Sequence, residues 1–396
     1  MTPAAPSRHD APVTPPAAPR DEVPSLDALL ARLRRRPDVE APELRAWDAA
    51  DRYLLDTAAP RIVAHPDAVA VIDDTHGALT LGALTLGARG VRVHQDAIVA
   101  ERALAANAAD LGLAGYTLHN LAAVVTADTR LVLLRLPRAL ESLDRIARAV
   151  ARRAHPAVVV VAGNMVKHMT TSQNDVFAAS FGRVDVSHAR GKARLLTAQG
   201  PREVAEAAPV KMFDPKLSLH VVAHGGVFAA GSIDIGTRAL LAVWDALPPY
   251  ATAIDLACGT GVLATMLARR TPTARVIACD VSAAAVDSAR RTAAANGVTV
   301  EALRDDGLSC QPDASADLVV LNPPFHVGAA VHTGVAQRLF ADAARVLRPD
   351  GALWCVWNTP LRYTPALTRT VGPTREIAAG GKFTVTASVR PTAAAR

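Results

Sequence analysis

The chain has 396 residues, enough for two domains with sizeable cores. Half of the residues are hydrophobic and a fifth are charged, the balance of a soluble globular protein, and the net charge of +6 suits a polyanionic partner without demanding one. The scattered Cys258, Cys279, Cys310 and Cys355 exclude a disulfide framework and a grouped zinc site, no apolar run reaches membrane-spanning length, and Met1 to Ser25 lacks a signal-peptide core.

In chain order, Met1 to Ser25 is a Pro/Ala-rich stretch that reads as a disordered tail. Leu26 to Arg36 has a helical pattern stopped by Pro37. Its Arg34-Arg35-Arg36 cluster is either a solvated helix end or a phosphate contact. Glu43 to Leu55 is expected to be a second helix. Strands follow at Ala68–Asp73, Val91–Asp96, Leu131–Leu136 and Ala157–Ala162, separated by helices at Ile98–Ala109 and Leu140–Arg153.

The second half repeats this order. Strands are expected at Ala251–Asp255, Arg275–Asp280, Val298–Leu303, Asp317–Leu321 and Gly351–Trp357, with helices at Ser282–Asn296 and Gly334–Leu347. Thr374 to Ala378 and Lys382 to Arg390 read as an antiparallel hairpin about Gly380-Gly381. Strand–helix alternation at this spacing implies βαβ units on a parallel sheet. The halves match in their acids, Asp73 with Asp255 and Asp96 with Asp280, and in Gly77 with Gly259. They part where chemistry would sit: Leu79 takes the place of Gly261, and Arg135-Leu136-Pro137 takes the place of Asn322-Pro323-Pro324. The expected fold class is α/β, two tandem Rossmann-like domains, the first a degenerate copy. Residues 1–25 form the tail, 26–205 the first domain and 206–396 the second.

A strand ending at Asp255 and a turn through Cys258, Gly259, Thr260 and Gly261 into a helix make a nucleotide-type pocket, since glycines admit close backbone approach. Gly259-Thr260-Gly261-Val262-Leu263-Ala264 also fits a nicotinamide fingerprint, but such a match is weak alone. Asn322-Pro323-Pro324-Phe325 closes the apolar run Asp317–Leu321 and looks like the signature of amino-group methyltransferases. Its prolines stiffen the turn. The Asn322 amide oxygen and the Pro323 carbonyl can accept the two hydrogens of an exocyclic amine, and Phe325 can stack on the ring that bears it.

With that signature, the acids favour S-adenosylmethionine (SAM). Asp255 is placed to hold the methionine ammonium, through water or directly, and Asp306-Gly307 the adenine amine, with Val281 on the adenine face; Asp280 is placed for the ribose hydroxyls, a role it would equally have in a nicotinamide fold. His326 and His332 follow the signature without enough companions for a metal site, so no metal is expected.

These stretches resemble the RsmC/RlmG family of bacterial ribosomal RNA guanine-N2 methyltransferases. The likeness runs through Ala46-Trp47-Asp48-Ala49-Ala50-Asp51-Arg52-Tyr53-Leu54-Leu55, Val227-Phe228, Ile233-Asp234-Ile235-Gly236, Asp255 to Gly261, Asn322 to His326 and Gly381-Lys382-Phe383. It covers about Leu44 to Arg390, and the N-terminal stretch is more like the large-subunit branch. The resemblance implies two class I methyltransferase domains, an inert first copy that helps bind RNA, and methyl transfer from SAM to N2 of one guanine. It also implies that Phe228 and Asp234 to Gly236 close the cofactor pocket. The chain departs in its tail and in Asp305-Asp306, where relatives often carry Asn. The expected partner is ribosomal RNA or a ribosomal subunit, with no membrane, in the cytoplasm, as a monomer. Two alternatives stay open: a methyltransferase of a protein Gln amide or of DNA adenine, whose amines the same tetrapeptide serves, and a non-catalytic RNA-binding or assembly protein.

Overall fold

The computed structural model describes residues 25–324 and 329–392. The chain divides into two compact units, one running to Gln95 and from Ala100 to Ala207, the other comprising Asp96–Val99 and Ala208 onward.

In the first part of the chain, helices α1 (Leu26–Arg32) and α2 (Ala49–Ala64) lead into β1 (Val69–Ile72), α3 (Ala78–Thr85), β2 (Val91–His94), α4 (Ile98–Leu111) and β3 (Tyr116–Leu118). After these come α5 (Leu121–Val124), β4 (Leu131–Arg135), α6 (Leu140–Arg153), β5 (Val159–Met165), α7 (Ser172–Ser180), β6 (Phe181–Val186) and β7 (Ala193–Pro201). The seven strands form one sheet in the order β3-β2-β1-β4-β5-β7-β6. Strands β3 to β5 run parallel through the centre, while β7 is antiparallel to both of its neighbours. Alternate residues feed opposite faces. Val69, Val71, Leu131 and Leu133 pack with Leu54, Leu79 and Leu104 of the helices on one side. Ala70, Ile72, Val132 and Leu134 pack with Leu143, Ile146 and Phe177 on the other. Burial on both faces is what a helix-covered parallel sheet requires.

The second unit opens with a hairpin, β8 (Val210–Asp214) and β9 (Leu219–Ala223). Next are α8 (Ile235–Leu241), β10 (Thr252–Leu256), α9 (Val262–Arg270), β11 (Arg275–Asp280), α10 (Ala283–Ala295), β12 (Glu301–Arg304) and β13 (Ala316–Leu321). The unit ends with α11 (Ala329–Val346), β14 (Leu347–Asn358), α12 (Thr364–Thr370), β15 (Thr374–Gly380) and β16 (Phe383–Val389). Its sheet runs β12-β11-β10-β13-β14-β16-β15, the first sheet's order with every strand number raised by nine. The duplicated α/β architecture is therefore present strand for strand. One face of this sheet packs on Leu240, Leu263, Leu267 and Val286. The other packs on Leu339, Phe340, Val346 and Leu367.

Of the helix boundaries that differ from the sequence pattern, two have clear local causes. Helix α1 stops at Arg32 because Leu33 is extended and the Arg34 N–H donates to Asn107 Oδ1 at 2.9 Å instead of to its own helix. The arginines beyond it are paired, Arg34 with Glu40, Arg35 with Asp38 and Arg36 with Asp110, so they serve the unit's own carboxylates. Helix α2 starts at Ala49, later than Glu43, because Asp48 and Asp51 form a reciprocal capping box there.

Candidate active site

The loops at the carboxyl ends of β10, β11 and β13 converge where the strand order reverses. The chain builds outward from β10 to β12, then crosses to β13 on β10's other side. Ligands of open α/β sheets bind at that switch point. In register, Leu256 pairs with both Cys279 and Leu321, so the residues that follow them (Ala257, Asp280 and Asn322) emerge side by side.

After β10 the backbone turns sharply. Ala257 sits at φ 59°, a region non-glycine residues enter at a cost of order 1–3 kcal/mol and mostly at functional sites. Its Cys258 N–H reaches the Cys279 carbonyl at 3.0 Å, and Gly261 N–H reaches the Cys258 carbonyl at 2.8 Å. The two glycines then do different work. Around Gly259 (φ 52°) a side chain would meet nothing within 4 Å, so this peptide borders open space. A Cβ on Gly261 (φ 75°) would fall 2.6 Å from Ala289 Cα, so this glycine lets the loop close on α10. Cys258 is buried and its thiol is pushed well above the usual range by burial and by Asp280 and Asp255, so it is no nucleophile.

The acids are also divided. Asp255 is 1% exposed, and its Oδ2 accepts from the Ala264 N–H at 2.9 Å. Burial, with the charge of Asp280, pushes its pKa up to about 8. It braces the first turn of α9, and its burial favours the water-mediated hold on a ligand's ammonium over the direct one. Asp280 accepts from Gly259 N–H at 2.9 Å and Ser282 N–H at 3.0 Å, tying the glycine loop to the β11 loop, and burial raises its pKa. Val281 beside it is exposed.

The Asp305-Asp306-Gly307 turn follows β12. Asp305 is buried and caps the turn, accepting from Asp306 N–H at 2.8 Å and Cys310 N–H at 2.7 Å. Asp306 keeps one oxygen on Arg338 at 3.2 Å. At Gly307 (φ 61°) a Cβ would meet Asp342 Oδ2 at 1.9 Å, so glycine is required for packing against α11.

Asn322 holds the centre. Its Nδ2 donates to Asp234 Oδ2 at 2.9 Å and to Thr237 Oγ1 at 3.1 Å. Both acceptors come from the start of α8: Asp234 is its N-cap, accepting from Thr237 N–H at 3.1 Å, and Thr237 is its third residue. With the amide nitrogen so fixed, Asn322 Oδ1 is buried and has no hydrogen-bond partner among the described residues. A buried acceptor left unmade costs free energy that a ligand donor would recover. Gly236 lies against this group. Pro323 is buried, Pro324 is exposed, and Phe228 and Ile235 are exposed apolar side chains. Phe325 and His326 lie outside the described residues, as does the His332 side chain. No group of metal-ligating side chains occurs among the described residues, and none of their helices is long and apolar enough to cross a membrane.

Sequence reasoning missed Thr237 and Ala257. The first was signalled by Asp234-x-x-Thr237, an N-cap followed at the right spacing by a polar third residue. Nothing in the sequence signalled the second.

The first unit carries the same frame. Gly77 (φ 90°) N-caps α3 as Gly261 N-caps α9, so Gly77 matches Gly261 in role and not Gly259. Asp74, and not Asp73, does the work of Asp255: its carboxylate accepts from Thr80 N–H at 2.7 Å, three residues past the glycine, as Asp255 accepts from Ala264. Ile72 pairs with His94 and Leu134, which puts Gln95 at the position of Asp280 and Arg135 at that of Asn322.

A sheet of this order with a single reversed strand, a glycine loop leaving its first strand, and an Asn-Pro-Pro turn at the switch point define a class I methyltransferase. Residues 24–202 match the family model described as the RLMG N-terminal domain, and residues 218–387 match the methyltransferase small domain. A Streptomyces avermitilis protein named ribosomal RNA large subunit methyltransferase G is 36% identical over 90% of this chain and 96% of its own length. Its namesake from Shewanella amazonensis is 34% identical over 90% of this chain and 96% of its own length. The solved structure of the T. thermophilus 16S rRNA N2 methyltransferase (RsmC), in complex with AdoMet and guanosine, shares the fold with a TM-score of 0.71. It is 23% identical and covers 91% of this chain and 99% of that one. This chain belongs to the ribosomal RNA large subunit methyltransferase G family.

Proposed function

We propose that this enzyme methylates the exocyclic N2 amine of a guanine in ribosomal RNA, with SAM as donor. The observation that carries the reading is the Asn322 carboxamide, whose nitrogen is tied down by Asp234 and Thr237 while its oxygen is buried without a partner. When bound, SAM supplies an electrophilic methyl group. The open face of Gly259, the Asp280 carboxylate and the exposed Val281 would hold it, with Asp306 toward the adenine amine and Phe228 closing one side. Asn322 Oδ1, with the Pro323 carbonyl, accepts the hydrogens of the incoming amine and turns its lone pair toward the donor. Such orientation can contribute about 7–11 kcal/mol to lowering a barrier. A guanine in folded RNA must leave its stack to reach this turn, and Phe325 is assigned the stacking role on the extruded base.

In this reading residues 206–396 are the catalytic domain. Residues 26–205 are a degenerate copy serving RNA binding, and the enzyme acts as a cytoplasmic monomer. The test is Asn322→Ala assayed with labelled SAM and undermethylated ribosomal RNA, followed by nuclease digestion and nucleoside analysis. SAM affinity stays near wild type and N2-methylguanosine disappears. A mutant that keeps more than a tenth of the wild-type rate removes the acceptor role, and label found in protein or on another nucleoside removes the substrate assignment.

A further inference from the structure

The β8–β9 hairpin carries an aromatic pair that the catalytic machinery does not use. Phe213 and His220 are cross-strand partners on its outer face, their ring centroids 4.8 Å apart at 43°. Phe213 is 52% exposed, a large apolar surface for a side chain with no core to serve. The alternation of the strand explains the placement. Met212 and Asp214 turn inward, while Lys211 and Phe213 turn out.

The inward face anchors the hairpin to the site. Leu219 and Val221 pack with Ile233, next to Asp234, and with Val262, next to Gly261. Asp214 is buried against Arg238 of α8 at 2.5 Å. The free edge of β9 is closed as well. Thr292 of α10 and its C-cap residue Asn296 exchange hydrogen bonds with the backbone of Val222 and His220, and Ser288 Oγ accepts from His224 N–H at 3.0 Å. These three side chains recur every fourth residue, one stripe of the helix. Strand addition by a partner is therefore blocked on that side, and the outer face is the aromatic pair with its flanks.

Those flanks are basic. Lys211 and Lys216 are exposed, and the hairpin's single acid, Asp214, is spent internally on Arg238. An exposed aromatic ring between unopposed lysines, on a rigid strand face, is the pattern by which proteins stack single-stranded nucleic acid. The patch is one ring pair wide, too small for an apolar protein interface. We propose that the Phe213–His220 face is a stacking platform for an unpaired base of the RNA substrate. The proposal rests on the reading that the substrate is RNA.

The test uses the full chain and a labelled single-stranded RNA of mixed sequence beside its duplex, with affinities from fluorescence anisotropy at two salt concentrations. Phe213→Ala weakens single-strand binding by roughly 5- to 150-fold, the change that one lost base–aromatic stack corresponds to, and leaves duplex binding unchanged. Phe213→Trp retains affinity. Lys211→Ala lowers the salt dependence by about 0.7 of a unit of slope. SAM affinity and melting temperature stay at wild-type values in all three. Single-strand affinity within twofold of wild type in Phe213→Ala overturns the platform, as does an equal loss on duplex. Dependence on Phe213 for binding ribosomal proteins but not naked RNA also overturns it, making the occupant a protein. If the wild type methylates ribosomal RNA while Phe213→Ala binds RNA normally, the platform fails and the functional reading stands. If the wild type binds single strands through Phe213 yet transfers no methyl group to RNA, the platform stands and the functional reading fails.

Discussion

Replacing Gly236 by alanine separates activity from stability at this site. Gly236 is the second residue of α8, and its φ is not in the left-handed region, so alanine meets no backbone strain. Alanine is intrinsically the better helix former, by about 0.8–1.0 kcal/mol in a helix interior and less in a first turn. The added Cβ, however, falls 2.9 Å from Asp234 Oδ2, 3.1 Å from Phe383 Cε1 and 3.2 Å from Asn322 Oδ1. Two of these atoms are the oxygen proposed to receive the substrate amine and the Asp234 oxygen that orients its carboxamide. Each must retreat by a few tenths of an ångström. Helix propensity and crowding nearly offset each other, so stability should stay within about 1 kcal/mol, a melting shift of about 2–4 °C at most. A displacement of 1 Å can cost about 10²-fold in rate, and here a methyl also intrudes on the acceptor oxygen itself, so kcat should fall at least about tenfold. Single-turnover methyl transfer, SAM calorimetry and a thermal melt on the same preparation decide it. Wild-type turnover in Gly236→Ala, or a loss of SAM affinity as large as the loss of turnover, refutes the reasoning.

Two further outcomes follow from buried charge. In the first unit, Arg135→Met strands Asp48 and Asp51, which its guanidinium holds at 2.8 Å and 3.1 Å, and should cost about 3–5 kcal/mol at neutral pH. Because burial already raises Asp51 to about 6, the loss shrinks toward pH 5, and urea unfolding that shows under 1 kcal/mol at pH 7.5 would discount the cluster. For Asp255, the unfolded carboxyl ionises near its ordinary value while the folded one keeps its proton to about 8. Between those limits the unfolded state binds fewer protons, so the wild type loses stability as pH rises, by up to about 1.4 kcal/mol per unit. Asp255→Asn has no such proton, so its stability relative to wild type should climb from pH 5 to pH 8; a flat difference means that Asp255 is ionised in the fold.

The parts legible in the sequence were those set by local pattern. The Leu140–Arg153 helix and the Arg275–Asp280 strand have the bounds that periodicity gives them, and Gly380-Gly381 marks the terminal hairpin. The three-residue β3, the β6–β7 pair and the β8–β9 hairpin were not legible, because short or half-exposed strands carry little alternation. At the site, the sequence marks the glycines and acids but not the packing that each one answers. Gly261 and Gly307 are fixed by Ala289 and Asp342, contacts that arise only when helices pack. The place of Asp255 on its strand says nothing of its burial or of its bond to the Ala264 N–H. The partner that orients Asn322 lies 88 residues earlier in the chain, and only the folded sheet brings it near.

The duplication shows why one copy can have lost its chemistry without losing its fold. Asn322 donates to the N-cap acid and the third residue of the helix that precedes its sheet, Asp234 and Thr237. Arg135 donates to the N-cap acid and the third residue of α2, Asp48 and Asp51, at the same strand end. The hydrogen-bond frame is retained, and the structural task of joining strand to helix is done in both units. What changes is the group that faces outward from that frame. A carboxamide whose nitrogen is engaged still offers an oxygen, so it can receive an amine's hydrogens. A guanidinium has donors only, so no rotamer of Arg135 can accept from an amine, and its second arm is taken by Asn164 at 3.2 Å. Arg135 also needs two carboxylates where Asn322 needs one and a hydroxyl, which accounts for Asp51 standing where the second unit has Thr237. One exchange at a strand end, with its compensating acid, is enough to turn an acceptor site into a buried ion cluster while both sheets keep their order.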